Sequence, residues 1–367
     1  MSGSVIGKNI TVSTWGESHG EALGAVIDGF PAGMDITEAD IQKFLDRRKP
    51  GTSAVTTARS EDDAVTILSG IFEGKTTGTP ISMIVKNTSQ RSSDYSEIAS
   101  YYRPGHADYG FDEKYGFRDY RGGGRSSGRE TIGRVMAGAL CSKLLSQMGI
   151  KVMAYTKSIG DVEIDDKNFD ESLITKTPTA MPDAEADKKA TDLILKCKEN
   201  QDSVGGVIEC IITGVPVGIG EPVFDKLDAC LSKAVMSIGA VKAIEVGDGT
   251  AVSKYYGSEN NDEFEIVNEK VTTKTNHSGG ILGGMSDGST IVLRAYIKPT
   301  PSIAQTQSTI NKSGENIDIN IKGRHDPVVV PRAVVVVESM CAHTLLDLML
   351  SNMSSRAEYV TKFYSKH

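Results

Sequence analysis

Strand-like and helix-like runs alternate irregularly along this chain of 367 residues, and several of the strands lie close together. That spacing favours antiparallel sheets and an α+β class. Leu23 to Phe30 is an apolar run closed by Pro31-Ala32-Gly33, which reads as a strand and its turn. Val65 to Leu68, Ile81 to Val85, Val207 to Thr213 and Thr290 to Ile297 read as further strands. Asn316 to Ile321 alternates polar and apolar residues, as a half-exposed strand does. Thr37 with Asp40 opens a helix that carries Ile41, Phe44 and Leu45 and ends in Arg47-Arg48-Lys49-Pro50. Amphipathic helices are expected from about Ala184 and over Val223 to Ile238, and a last helix follows Arg332.

Composition narrows the partners. The net charge is −8, which makes a general nucleic-acid binder a poor reading, since that affinity needs excess positive charge. Yet Arg103, Arg118, Arg121, Arg125, Arg129 and Arg134 fall in one short window. Local positive charge on an acidic chain points to a small anionic ligand focused into a cleft. Five widely spaced cysteines, with no C-x-x-C pair, suit a reducing compartment. Met1 to Asn9 has no long apolar stretch, and the run Val328 to Val337 is interrupted by Pro331 and Arg332. A soluble cytoplasmic protein with no membrane partner is the expectation.

The run Arg121-Gly122-Gly123-Gly124-Arg125-Ser126-Ser127-Gly128-Arg129-Glu130 carries the most chemistry. Glycines let backbone N–H groups approach an anion. Ser127 and Glu130 have capping-box spacing, so a helix is expected to start there with its positive dipole end beside hydroxyls and arginines. The surrounding stretch 88 to 130 is polar and tyrosine-rich, and a loop that long is usually functional or disordered.

Four of the six histidines lie in short loops beside glycine or proline: His19, His106, His277 and His325. Histidine suits proton transfer near neutral pH. Each alone reads as a structural loop residue; together they indicate a site. No histidine or cysteine pairing has metal-ligand spacing, so no metal is expected. Gly70 to Thr76 falls one residue short of a P-loop and no helix follows, so it reads as a strand-ending turn. Gly279 to Gly284 is either a plain turn or backbone that lies against a flat ring. Lys298-Pro299-Thr300-Pro301-Ser302 is either a surface loop or a stiffened anion contact.

At these same residues the chain resembles the chorismate synthase family. The matching stretches are Gly16 to Gly20, Asp46 to Ser53, Arg103 to Asp108, Tyr120 to Glu130, Met236 to Lys242, Asn276 to Gly284, Lys298 to Ser302 and Gly323 to Pro327, and the likeness runs to about Leu350. The resemblance implies one domain over residues 1–367, with helices sandwiched between antiparallel β-sheets, assembled as a homotetramer. It implies an anti-1,4-elimination of phosphate from 5-enolpyruvylshikimate 3-phosphate, giving chorismate with reduced FMN and no net redox change.

By the same resemblance His19 would donate a proton toward the leaving phosphate and His106 would protonate or hydrogen-bond the reduced flavin ring. Asp326 would help remove a flavin proton. Flavin contacts would be Arg125, Ser126, Ser127, Gly239, Ala240, Gly283, Lys298, Pro299, Thr300, Pro301, Ser302 and Arg324. Substrate contacts would be Ser18, Arg48, Arg125 and Arg129. NADPH is a candidate reductant, with Arg48 as a contact. Ala54 stands where similar chains carry a second arginine associated with that dinucleotide, which puts NADPH contact there in doubt.

Overall fold

The structure is a computed structural model that describes residues 3–51, 62–87, 97–321 and 326–365. Its first elements are β1 (Val5–Ile6), β2 (Thr11–Gly16), β3 (Ala22–Asp28), α1 (Glu38–Arg48) and β4 (Val65–Ile67). Next come the hairpin β5 (Ile71–Phe72) and β6 (Lys75–Thr76), then β7 (Ile81–Lys86), α2 (Asp108–Tyr115) and α3 (Thr131–Gln147). β8 (Lys151–Ile159), β9 (Val162–Glu163), α4 (Ala184–Glu199), β10 (Gly206–Thr213), α5 (Leu227–Met236) and β11 (Val241–Val246) follow. The remainder is α6 (Gly257–Asn260), the hairpins β12 (Phe264–Val267)/β13 (Lys270–Thr273) and β14 (Ile281–Leu282)/β15 (Met285–Ser286), β16 (Ile291–Ile297), β17 (Thr306–Ile310), β18 (Asn316–Asn320), α7 (Val330–Asn352) and α8 (Ala357–Tyr364).

Two antiparallel sheets of five strands form the outer layers, in the orders β1-β2-β3-β7-β4 and β11-β16-β10-β8-β9. Helix α3 lies on β2 and β3, α7 lies on β8 and β10, and the two helices pack on each other between the sheets. The expected α+β sandwich is therefore what forms. Gly138 and Ser339 mark how close those helices come: a Cβ on Gly138 would sit 2.2 Å from the Ser339 Cβ. One buried apolar cluster runs from Ile10, just before β2, through α3 to Leu348 on α7.

Local chemistry explains the start of α1. Thr37 caps α1 by accepting from Asp40 N, while the Asp40 carboxylate accepts from Thr37 N at 3.0 Å. Ile41 and Leu45 turn inward from that helix. The Gly70 to Thr76 stretch forms the β5–β6 hairpin, and Lys75 is spent on Asp35 at 2.6 Å.

Four expectations change. Ser127 caps only a short 3-10 turn, and α3 starts at Thr131. The Glu130 carboxylate bonds Arg134 at 2.8 Å rather than reaching back to Ser127. The helix expected from Val223 begins at Leu227, because Glu221 and Asp225 close a tight turn first and leave Phe224 exposed. The 88–130 stretch holds a helix, α2, at its centre. Finally, Pro331 does not interrupt the last apolar run: it sits in the first turn of α7, where a missing N–H costs nothing. α7 is therefore long and apolar enough to cross a membrane, with a mean hydropathy of 1.7, but 89% of that window is buried within the chain.

Candidate active site

The β2–β3 connection presents His19. Gly20 N donates to Glu17 O at 3.1 Å, which makes a tight turn with Ser18 and His19 buried inside it. Ser18 Oγ lies 3.1 Å from His19 Nδ1 and orients the ring. The glycine-rich run lies directly against that imidazole. Gly122 has φ +77, and a Cβ there would fall 2.7 Å from His19 Cε1 and Nδ1. Only glycine allows both the left-handed backbone and the contact.

Arg103 joins this turn to the next histidine. Its Nη2 donates to Gly122 O at 3.0 Å, and its fork grips Asp108 at 2.8 and 2.7 Å. Burial would raise the Asp108 carboxyl, but hydrogen bonds from Arg103 outweigh it and hold the pKa below the usual value. Three residues along, His106 Nδ1 is 3.0 Å from Pro104 O and Nε2 is 2.9 Å from Ser302 Oγ. A carbonyl only accepts, so Nδ1 carries the proton and Nε2 accepts from the serine hydroxyl. Burial, aided by the Arg103 charge, pushes the His106 pKa down to about 4. The ring is neutral at physiological pH.

The 298–302 loop is drawn onto this histidine. Lys298 Nζ donates to Gly105 O at 3.0 Å, and Lys298 N donates to Ala240 O at 2.9 Å. Gly105 approaches Pro301 so closely that a Cβ would meet the proline Cβ at 2.6 Å. Thr300 O accepts from Ser203 Oγ at 2.7 Å, whereas the buried Thr300 Oγ1 has no protein partner among the described residues. Ala240, Lys298, Pro301 and Ser302 thus gather around His106.

A third group surrounds Asp63, a fully buried carboxylate just before β4. It bonds Arg48 Nη2, and its other oxygen is 3.2 Å from Arg129 Nη1. Arg48 is 2% exposed; burial lowers its pKa from the usual guanidinium value, opposed by the Asp63 charge. Arg332 Nε donates to Arg48 O at 3.1 Å and its Nη1 bonds Asp326. Asp326 is thereby tied to the arginine group. On the other side, Arg129 Nε donates to Asn87 Oδ1 at 3.0 Å, and Asn87 Nδ2 donates to Glu17 O and Gly20 O of the His19 turn.

The window of six arginines is less basic than its sequence suggests. Arg103 and Arg118 pair with Asp108, Arg121 with Asp119 and Arg134 with Glu130. Arg125 donates to Gly16 O, Thr14 O and Thr14 Oγ1 at 2.6–3.1 Å, which fastens the glycine loop to the end of β2. Ser126 Oγ donates to Gly123 O at 2.7 Å, and Ser127 Oγ accepts from Arg129 N.

Some site candidates stay apart. Gly283 turns the β14–β15 hairpin, where Gly284 O accepts from Leu227 N at the start of α5. Gly239 and Ala240 follow the other end of that helix, so about 15 Å of helix separates them from Gly283. His277 is held by Asp248 at 2.6 Å in its own loop. Arg324, His325 and Ala54 lie outside the described residues. Asp63, Asn87 and Arg332 carry no motif in the sequence, and their contacts to Arg129, Arg129 and Arg48 span 66, 42 and 284 residues. No group of three potential metal ligands occurs among the described residues.

Two histidines joined by one buried Arg103, with further buried arginines beside them, define an α+β enzyme that handles an anionic small molecule with positioned protons. Comparison with known proteins agrees on the particular kind. The family model described as chorismate synthase matches residues 10–350. A chorismate synthase of Lachnoclostridium phytofermentans is 64% identical over 367 residues, all of both chains. One of Methanocella arvoryzae is 54% identical over 354 residues, covering 96% of this chain and 95% of that one. A solved crystal structure of a chorismate synthase superposes with a TM-score of 0.76 at 30% identity, covering 98% of each chain. The chain belongs to the chorismate synthase family and is a carbon–oxygen lyase.

Proposed function

We propose that the described site eliminates phosphate from 5-enolpyruvylshikimate 3-phosphate to give chorismate, with His19, His106 and Asp326 as its working groups. The observation that carries this reading is the shared support of the two histidines: Arg103 holds Gly122 against His19 and heads the turn that carries His106. His19, oriented through Nδ1 by Ser18, donates a ring proton to the departing phosphate oxygen. Arg129, with Arg48 behind it on Asp63, supplies positive charge to the substrate anions, and Ser18 adds a hydroxyl. Arg48, 2% exposed, supports Arg129 through the shared Asp63, and it is the contact for NADPH as the reductant. The Asp326 carboxylate, held by Arg332, is a proton acceptor at the edge of the same arginine group.

Reduced FMN fits the residues beside His106. A buried Thr300 hydroxyl with no partner among the described residues and the Lys298 ammonium offer donors beside the neutral His106 ring. Arg125, Ser126, Ser127, Gly239, Ala240, Lys298 to Ser302 and Arg324 are the residues that would hold it, while Gly283 stays at the far end of α5. When bound, the reduced ring supplies electron density with no net redox change. His106 keeps its proton on Nδ1 and presents Nε2, through Ser302, as an acceptor.

One domain over residues 1–367 is supported by the continuous core. Assembly as a homotetramer is supported by exposed Ile266 and Val271 on the β12–β13 hairpin and Phe363 and Tyr364 on α8. Five unpaired cysteines support a cytoplasmic setting.

The test is anaerobic: protein, chemically reduced FMN and 5-enolpyruvylshikimate 3-phosphate should release phosphate and form chorismate, and His106→Ala should lose most of that rate while folding normally. Absence of product from the parent chain refutes the reaction; near-parent turnover by the variant refutes the role of His106.

A further inference from the structure

We propose that Asn87 is a positioning residue that sets the His19 turn and Arg129 in a fixed relation, and so couples the proton donor to the substrate's counter-charge. The inference rests on the roles just given to His19 and Arg129. Asn87 is the first residue after β7. Its Nδ2 donates to Gly20 O at 2.7 Å and to Glu17 O at 3.1 Å, the two carbonyls that bracket His19. Its Oδ1 accepts from Arg129 Nε at 3.0 Å, and its backbone N donates to Glu21 O at 3.0 Å. Both amide protons and the amide oxygen are therefore committed, each toward a part of the site. The amide orientation is unambiguous, since the reverse would set its oxygen against two carbonyl oxygens.

Several contacts hold the turn. Gly20 N closes it internally onto Glu17 O, Gly122 presses on the imidazole, and Asn87 ties its backbone to the neighbouring strand. A side chain that fixes both ends of a four-residue turn sets the direction of the ring between them. Proton transfer is steep in that direction, and a shift of about 1 Å can cost roughly 100-fold.

Two variants separate the arms. Asn87→Asp keeps an oxygen for Arg129 but loses both donors to the turn. Asn87→Ala loses everything. With reduced FMN under anaerobic conditions, both should lower kcat roughly 10- to 100-fold, and Asn87→Ala should also raise KM for the substrate more than Asn87→Asp does. Thermal midpoints within a few degrees of the parent show that the loss is local. Near-parent kcat in Asn87→Asp overturns the proposal, as does a kcat loss in both variants that merely tracks the folded fraction. His19→Ala is run alongside. If it keeps turnover, the proton-donor reading falls and Asn87 falls with it; if it is inactive while Asn87→Asp is not, only the Asn87 inference fails.

Discussion

Asp63→Ala isolates the energetics on which the arginine group depends. The carboxylate is buried between two guanidiniums that are themselves 2% and 6% exposed. It bonds Arg48 directly and lies 3.2 Å from Arg129. Removing it takes away the carboxylate that two buried cations share. Breaking one buried pair in this way typically costs about 3–5 kcal/mol, most of it the uncompensated charge. Unfolding entropy of about 2.1 cal/mol/K per residue over 367 residues gives roughly 0.8 kcal/mol per degree. The midpoint should therefore fall by about 4–6 °C, read by scanning calorimetry on the purified chain. Asp63→Asn preserves shape and one acceptor, so it should fall by less, and KM for the substrate should rise in both. A loss under about 1 °C in Asp63→Ala would refute the argument, because it would mean that both guanidiniums find water or other partners without help from Asp63.

Two further outcomes follow from geometry already given. Gly122→Ala forces a left-handed alanine and drives a methyl to 2.7 Å from the His19 ring, so kcat should fall at least about tenfold with secondary structure intact by circular dichroism; unchanged turnover would show that the loop does not bear on His19. His106, with a folded pKa near 4 against an ordinary 6.5, stays neutral while the unfolded ring takes up a proton as pH falls. Its contribution is present above pH 6.5 and is lost between 6.5 and 4. His106→Gln should flatten that part of the stability–pH curve in denaturant titrations, and an unchanged slope would count against a neutral buried ring.

Much of the scaffold was legible because it is written in short-range patterns. Thr37 and Asp40 announced α1 three residues apart, and the alternation at Asn316–Asn320 announced β18. The Gly70–Thr76 turn was told from a P-loop by its spacing and by the lack of a helix pattern after it. Misreadings came where two local signals competed. Ser127 and Glu130 have the spacing of a capping box, but Arg134 one turn further on captures the glutamate. Pro331 looked like a break in an apolar run, yet a proline in the first helical turn breaks nothing. The arginine window looked like a concentration of charge, yet acids in the same stretch, Asp108, Asp119 and Glu130, pair with four of its six arginines.

The sequence by itself determined the element types, the glycine-bearing histidine turns and, through its motifs, the family. Tertiary structure alone decided which polar groups meet. His106 finds Ser302 across 196 residues, Arg129 finds Asp63 across 66, and Arg332 reaches Arg48 across 284. Such pairs leave no local trace, because a hydrogen bond constrains two atoms in space and nothing in the chain between them. What brings them together is burial of the α3–α7 layer between the two sheets, a collective outcome of apolar surface that no single polar residue reports.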